Sequence, residues 1–142
     1  MHSHEYKYRD FLFMHRPIQE FMPFANLYHY VGHKNQVVGC QSLNTGVYAQ
    51  AIEAEKTAWI NAGGDADNDF AGKYHDVYFS YSRKSGYGGA GSLPRGARTF
   101  ELTYKKGKGM RGSSFTIDGE TGQKNIDMER KYPPSFSFLL QT

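Results

Sequence analysis

From Tyr74 to Leu140 the chain is written in short alternating runs broken by glycine, and that pattern commits it to a β-sheet. Val77, Phe79 and Tyr81 alternate with Tyr78 and Ser80, the period-two spacing of a half-buried strand. A glycine-rich excursion, Ser85-Gly86-Tyr87-Gly88-Gly89-Ala90-Gly91, separates this run from a second one at Arg98 to Tyr104, where Phe100 and Leu102 share the inner face. Lys105-Lys106-Gly107-Lys108-Gly109 turns into a third run at Ser114 to Asp118, and Asp118-Gly119-Glu120-Thr121-Gly122 is a hairpin signal. Residues 124–130 and 135–140 extend the pattern to a meander of about four to five strands.

Ahead of the sheet, residues 47–62 have helical spacing. Asn44 or Thr45 is placed to cap the start and Gly63 to stop the end, while Tyr48, Ile52, Trp59 and the intervening alanines mark one face. Residues 5–31 are dense in aromatics and broken by Pro17 and Pro23, so short strands or extended arms are expected there rather than a long helix. The expected fold class is α+β, with one principal helix packed on an antiparallel sheet and an aromatic-rich N-terminal segment before it. The 142 residues suit a single compact domain, 1–142.

Cys40 is the one cysteine, which excludes an intramolecular disulfide and a four-thiolate zinc site, and it reads as a buried apolar residue. No apolar run is long enough for a membrane span, and the opening residues lack the order of a signal peptide. These features point to cytoplasmic synthesis, with release by a non-classical route left open, and the chain reads as a monomer. Eleven tyrosines, ten phenylalanines and sixteen glycines in a polar chain suit stacking surfaces more than helical bundles.

Charge divides the molecule. Residues 1–82 carry six Lys/Arg against nine Asp/Glu, and residues 83–142 carry eleven against five. A basic half of this kind attracts phosphates or anionic surfaces. Arg83, Arg95, Arg98, Lys105, Lys106, Lys108 and Arg111 supply the charge, and Tyr87 and its neighbouring tyrosines supply rings on which unpaired bases stack. On the apolar strand face Arg98 needs an anionic partner, either Asp76 or a phosphate.

Two further groupings carry chemistry. Asp65, Asp67 and Asp69 alternate in a loop and are the candidate ligands of a divalent metal, Mg²⁺ or Zn²⁺. His75 follows closely, with a pKa range suited to proton transfer, and Asp76 is its neighbour. His29 and His33 lie four apart, but Val31-Gly32 and the surrounding tyrosines do not favour the helix that a zinc pair would need.

Over residues 74–142 the order of these groups resembles the small microbial ribonucleases of the barnase and T1 type. Tyr74-His75-Asp76 stands where that family has its general base, Arg95-Gly96-Ala97-Arg98 where it has its phosphate clamp, and Lys131-Tyr132 where it has its final acid. Asp76 replaces the expected glutamate and Lys131 the expected histidine. The chain is also similar to the basidiomycete ribotoxin-like proteins of the ageritin type, which are small, basic, rich in tyrosine and free of disulfides. That resemblance implies a metal-assisted endoribonuclease that cleaves the sarcin–ricin loop of the large ribosomal subunit and stops translation. His75, Asp76 and Arg98 would then be catalytic, and RNA the partner. Two other readings stay open. One is a non-catalytic RNA- or glycan-binding module. The other is an ADP-ribosyltransferase-like enzyme using NAD, suggested by Asn26-Leu27-Tyr28-His29-Tyr30.

Overall fold

The computed structural model describes residues 9–105 and 109–132, by backbone alone at 105, 109–111 and 125–132. These form two helices and eight strands: β1 (Asp10–Met14), α1 (Phe21–Leu27), β2 (Tyr30–Val31), α2 (Val47–Glu53), β3 (Thr57–Ala62), β4 (Ala71–Tyr74), β5 (Val77–Tyr81), β6 (Gly96–Lys105), β7 (Gly109–Asp118) and β8 (Lys124–Tyr132). The class is α+β, as expected, but the sheet is divided. One sheet has five strands in the order β1-β3-β5-β4-β2 and is mixed; the other is an antiparallel β6-β7-β8 meander. The strand expected at 135–140 lies outside the described residues.

The principal helix expected at 47–62 is two elements. α2 ends at Glu53, Glu55 adopts a left-handed φ of 53°, and the chain re-enters as β3. β3 is the reason. It pairs in parallel with β1 on one side and β5 on the other, and Ala58 to Ala62 are all buried. A strand covered on both faces reads as a continuous apolar run, and over six residues such a run is easily taken for helix. Gly63 therefore stops no helix. The start also differs: Gly46 is the N-cap, and Asn44 acts two residues earlier by accepting the Gly46 N–H at 2.8 Å.

Alternation along β3 and β5 assigns the two faces of the mixed sheet. On one face Ile60, Ala62, Val77, Phe79 and Tyr81 join Phe21, Phe24 and Ala51 from the helices in the main core. Phe21 stacks on Phe79 at 4.6 Å between centroids. α1 accommodates Pro23 because a proline in the first turn removes an N–H that has no partner there.

The other face of the mixed sheet meets the meander. Trp59 stacks on Tyr78 at 4.8 Å and on Phe11 at 5.8 Å, and Phe100 of β6 meets the Trp59 ring edge-on at 5.3 Å. A polar chain runs through this layer: Trp59 Nε1 donates to Ser80 Oγ (2.9 Å), Ser80 Oγ to Asn61 Oδ1 (2.7 Å), and Asn61 Nδ2 to Ser82 Oγ (2.7 Å). Three layers result, in the order helices, mixed sheet, meander.

Candidate functional site

Phe11, Trp59 and Tyr78 share one row of the parallel strands, and Met14, Ala62 and Tyr81 belong to the row at the other end. β6 crosses from one end to the other. Its Arg98 bonds the carbonyl of Tyr81, whereas Leu102 lies beside Gly112, whose α-carbon faces the Phe11 ring. The Lys105 end of β6 therefore points toward the end of the mixed sheet at which β5 begins. The His75–Asp76 turn occupies that same end.

His75 and Asp76 form the two-residue connection between β4 and β5, with Tyr74 opposite Val77. A tight hairpin needs a left-handed φ at its first turn position, and His75 adopts 52°. Both residues are exposed. The imidazole packs edge-on against Tyr74 at 4.5 Å, and its Nε2 lies 3.4 Å from the Tyr28 hydroxyl.

Arg98 is not part of this turn. The guanidinium is buried and donates to the Tyr81 carbonyl (2.6 Å), the Asp69 carbonyl (2.6 Å) and Ser114 Oγ (2.9 Å). β5 separates the two sites, and its five residues span roughly 13 Å at strand rise. Asp76 therefore does not supply the counter-charge expected for Arg98. The arginine ties β6 and β7 to the mixed sheet, and the His75–Asp76–Arg98 grouping is not assembled.

Arg83 has the same fate. Its Nε donates to Asp69 Oδ2 at 3.0 Å, its Nη2 reaches the same oxygen, and Nη1 lies 3.7 Å from Asp118. A buried guanidinium so engaged is a lock rather than a substrate-binding group. Arg95 is half-buried, with Nη2 3.4 Å from the Gly91 carbonyl. Tyr87, at the glycine-rich excursion, is exposed. Lys106 and Lys108 lie outside the described residues.

The three loop aspartates serve three separate jobs. Asp65 accepts the buried Tyr81 hydroxyl (2.6 Å) and the Gly39 N–H (2.9 Å). That approach requires glycine, since a Cβ at position 39 would sit 2.5 Å from Asp65 Oδ1. Asp67 receives the N–H groups of Ser92 and Leu93, the latter at 3.1 Å. Asp69 receives Arg83, the His33 N–H (2.6 Å) and His33 Nδ1 (3.0 Å). Among the described residues, no three His, Cys, Asp or Glu side chains group as metal ligands would.

Sequence reasoning missed the partners because they come from far along the chain. Residues 33–39 wrap the acidic loop, with Gln36 Oε1 accepting the Asp67 N–H at 2.9 Å. Only alternating aspartates were visible locally; nothing in 33–39 announces a clasp. Cys40, expected to be buried, packs against the main core but is only partly buried.

Titration follows from this geometry. Burial by itself raises the Asp69 carboxyl, but the Arg83 hydrogen bond and the His33 N–H outweigh it and hold the group below its ordinary 3.8. The N–H groups of Leu93 and Ser92 lower Asp67, and those of Thr121 and Glu120 lower Asp118. A depressed carboxyl stabilises the fold fully above its unfolded pKa and loses that contribution as pH falls through the folded value. The urea midpoint is therefore expected to hold from pH 7 to about pH 5 and to fall steeply below about pH 4. A midpoint that does not move down to pH 3 would contradict the proposed role of these carboxylates.

The meander brings cations together that are dispersed in sequence. Arg111 is in register with Thr103 on one side and Lys131 on the other, Arg130 is opposite Gly112, and Lys105 opposite Gly109. One row further along, Tyr104, Met110 and Tyr132 stand side by side across the three strands. Tyr104 is 41 % exposed and Leu102 51 %. No helix among the described residues is long and apolar enough to cross a membrane. No family model, no curated protein and no solved structure matches this chain.

Proposed function

We propose that this protein binds unpaired RNA on the end of its three-stranded sheet. One observation carries the reading: strand register brings Lys105, Arg111, Arg130 and Lys131 to the same end of the meander as Tyr104 and Tyr132, with Arg130 in phase with the tyrosine row and the other three at the alternate positions. Cations that track a phosphate backbone, set beside rings that stack bases, are the two components of single-strand recognition. Arg83, first assigned to substrate, and Arg98, first assigned to catalysis, are both held in internal hydrogen bonds, and in this reading the lysine-bearing end of the meander meets the strand.

Anisotropy of a labelled single-stranded RNA tests the reading. Binding is expected to weaken steeply with salt. Replacing Lys105, Lys106 and Lys108 together by alanine is expected to flatten the log–log salt slope by about 2, at roughly 0.7 per phosphate contact. Tyr104→Ala is expected to cost about 1–3 kcal/mol of binding. Affinity that ignores salt and both variants would sink the proposal.

Cleavage of the bound strand is the second reading, favoured by His75. An exposed imidazole stands at this turn with a left-handed φ, beside the Tyr28 hydroxyl. In that scheme His75 takes or gives the proton, with Asp76 as its neighbour. Intact ribosomes, incubated with and without Mg²⁺ or Zn²⁺ and with EDTA, are the substrate to try, since the ribotoxin resemblance implies the large-subunit RNA. One discrete fragment, lost in His75→Ala, supports cleavage; intact RNA with retained binding leaves the protein a non-catalytic module.

A further inference from the structure

The imidazole of His33 is held by a single residue. The His33 N–H and ring Nδ1 both reach Asp69 Oδ1, at 2.6 and 3.0 Å, and the His33 carbonyl accepts the Asp69 N–H at 2.9 Å. That approach needs glycine at position 32, where φ is 95°: a Cβ there would lie 2.9 Å from the Asp69 carbonyl oxygen and 3.0 Å from Oδ1. Asp69 is fixed in turn, since Arg83 Nε donates to its other carboxylate oxygen at 3.0 Å. Backbone, ring and carboxylate are therefore set in one geometry before any ligand arrives.

The arrangement decides the tautomer. Burial raises the Asp69 carboxyl, but the Arg83 hydrogen bond and the His33 N–H overcome that and keep it ionised at neutral pH. An ionised carboxylate only accepts, so the neutral imidazole carries its proton on Nδ1 and its lone pair on Nε2. The Asp69 side chain is 3 % exposed and the His33 side chain 55 %. Nε2 has no hydrogen-bond partner among the described residues, so a reagent in solution can meet the lone pair directly. A buried carboxylate behind an open imidazole is the orienting half of nucleophilic catalysis.

We propose that His33 and Asp69 form a nucleophilic centre that transfers acyl groups from activated esters to water. Nε2 attacks the carbonyl carbon, the bond from that carbon to the leaving oxygen breaks, and the phenolate departs with the electron pair. Asp69 stabilises the resulting acyl-imidazolium through Nδ1–H. Water then adds to the acyl carbon, Nε2 leaves with its electron pair, and the carboxylic acid gives its proton to solvent, which restores the ring. The side chains joined here are a nucleophile, a carboxylate and the guanidinium bonded to it, and none of them protonates a leaving group. The substrate is therefore an ester whose alcohol leaves unprotonated, such as a phenyl ester. The centre uses none of the residues of the proposed RNA surface.

Release of p-nitrophenolate from p-nitrophenyl acetate by the full chain, at about pH 8 where free imidazoles are neutral, tests this. His33→Gln is expected to lower the second-order rate at least about tenfold, since a positioned group contributes about 10²–10⁴-fold. His15→Gln and His29→Gln remove exposed imidazoles and are expected to match wild type. Nitrogen-15 NMR of the rings reads the tautomer independently of the reaction: the neutral His33 is expected to carry its proton on Nδ1 in wild type. Asp69→Asn, with its fold verified by circular dichroism, is expected to lose both that tautomer preference and the rate. A His33→Gln rate equal to wild type, or a neutral His33 with its proton on Nε2, each overturns the proposal.

Discussion

Asp69→Ala is expected to destabilise the protein by about 3–5 kcal/mol, the cost of taking from a buried cation its nearer carboxylate and leaving it only the longer contact to Asp118. Both members of the pair are buried, with side-chain exposures of 8 % for Arg83 and 3 % for Asp69. Asp69 also accepts the His33 N–H, so the substitution releases the 33–39 wrap as well. Against a total stability of about 5–15 kcal/mol for a domain, the loss is large. Urea unfolding followed by far-ultraviolet circular dichroism measures it. The acid limb of stability should become shallower in the same variant, since one depressed carboxyl has gone. A change below 1 kcal/mol would show that the lock is dispensable.

Trp59→Ala is expected to cost a similar amount, about 3–5 kcal/mol, through a different mechanism. Trp59 is fully buried and touches Phe11, Tyr78 and Phe100, so it contacts both sheets. Its removal opens a cavity at the layer boundary and takes the Nε1 donor away from Ser80. Trp59→Phe retains much of the ring contact and loses the hydrogen bond, so its expected cost is smaller, with about 1 kcal/mol from that bond. Equal midpoints for alanine and wild type would mean the two sheets are held together elsewhere, with Arg98 the first place to look.

Local patterns were legible and non-local ones were not. The alternation of Val77 to Tyr81 and the Asp118–Gly122 turn correspond to β5 and the β7–β8 connection, because each signal is confined to adjacent residues. Thr57 to Ala62 was misread because a strand buried on both faces loses its alternation. The two-sheet division was illegible too, since nothing within β5 says that its neighbours are β3 and β4 rather than β6.

At the acidic loop and the arginines the residue types were legible and their partners were not. Asp65, Asp67 and Asp69 suggested ligands, yet their partners Gly39, Ser92 and Arg83 lie 14 or more positions away. Arg98 was expected to need an anionic partner, Asp76 or a phosphate, and neutral oxygens receive it instead. Two of those acceptors are backbone carbonyls, which no sequence pattern marks. Arg130 and Lys131 became part of the proposed surface only through strand register.

β1 pairs with β3 across a segment that contains both helices, whereas β6, β7 and β8 follow one another within a few residues of sequence. The two sheets therefore differ in contact order. Closing a long loop carries a large entropic cost before any pairing offsets it, while a hairpin closes early. The meander can zip locally, but the surface it packs on exists only once the first strand has returned to lie beside the third. Contact order therefore predicts that assembly of the mixed sheet is the slower step, on which the basic end of the meander depends for its support.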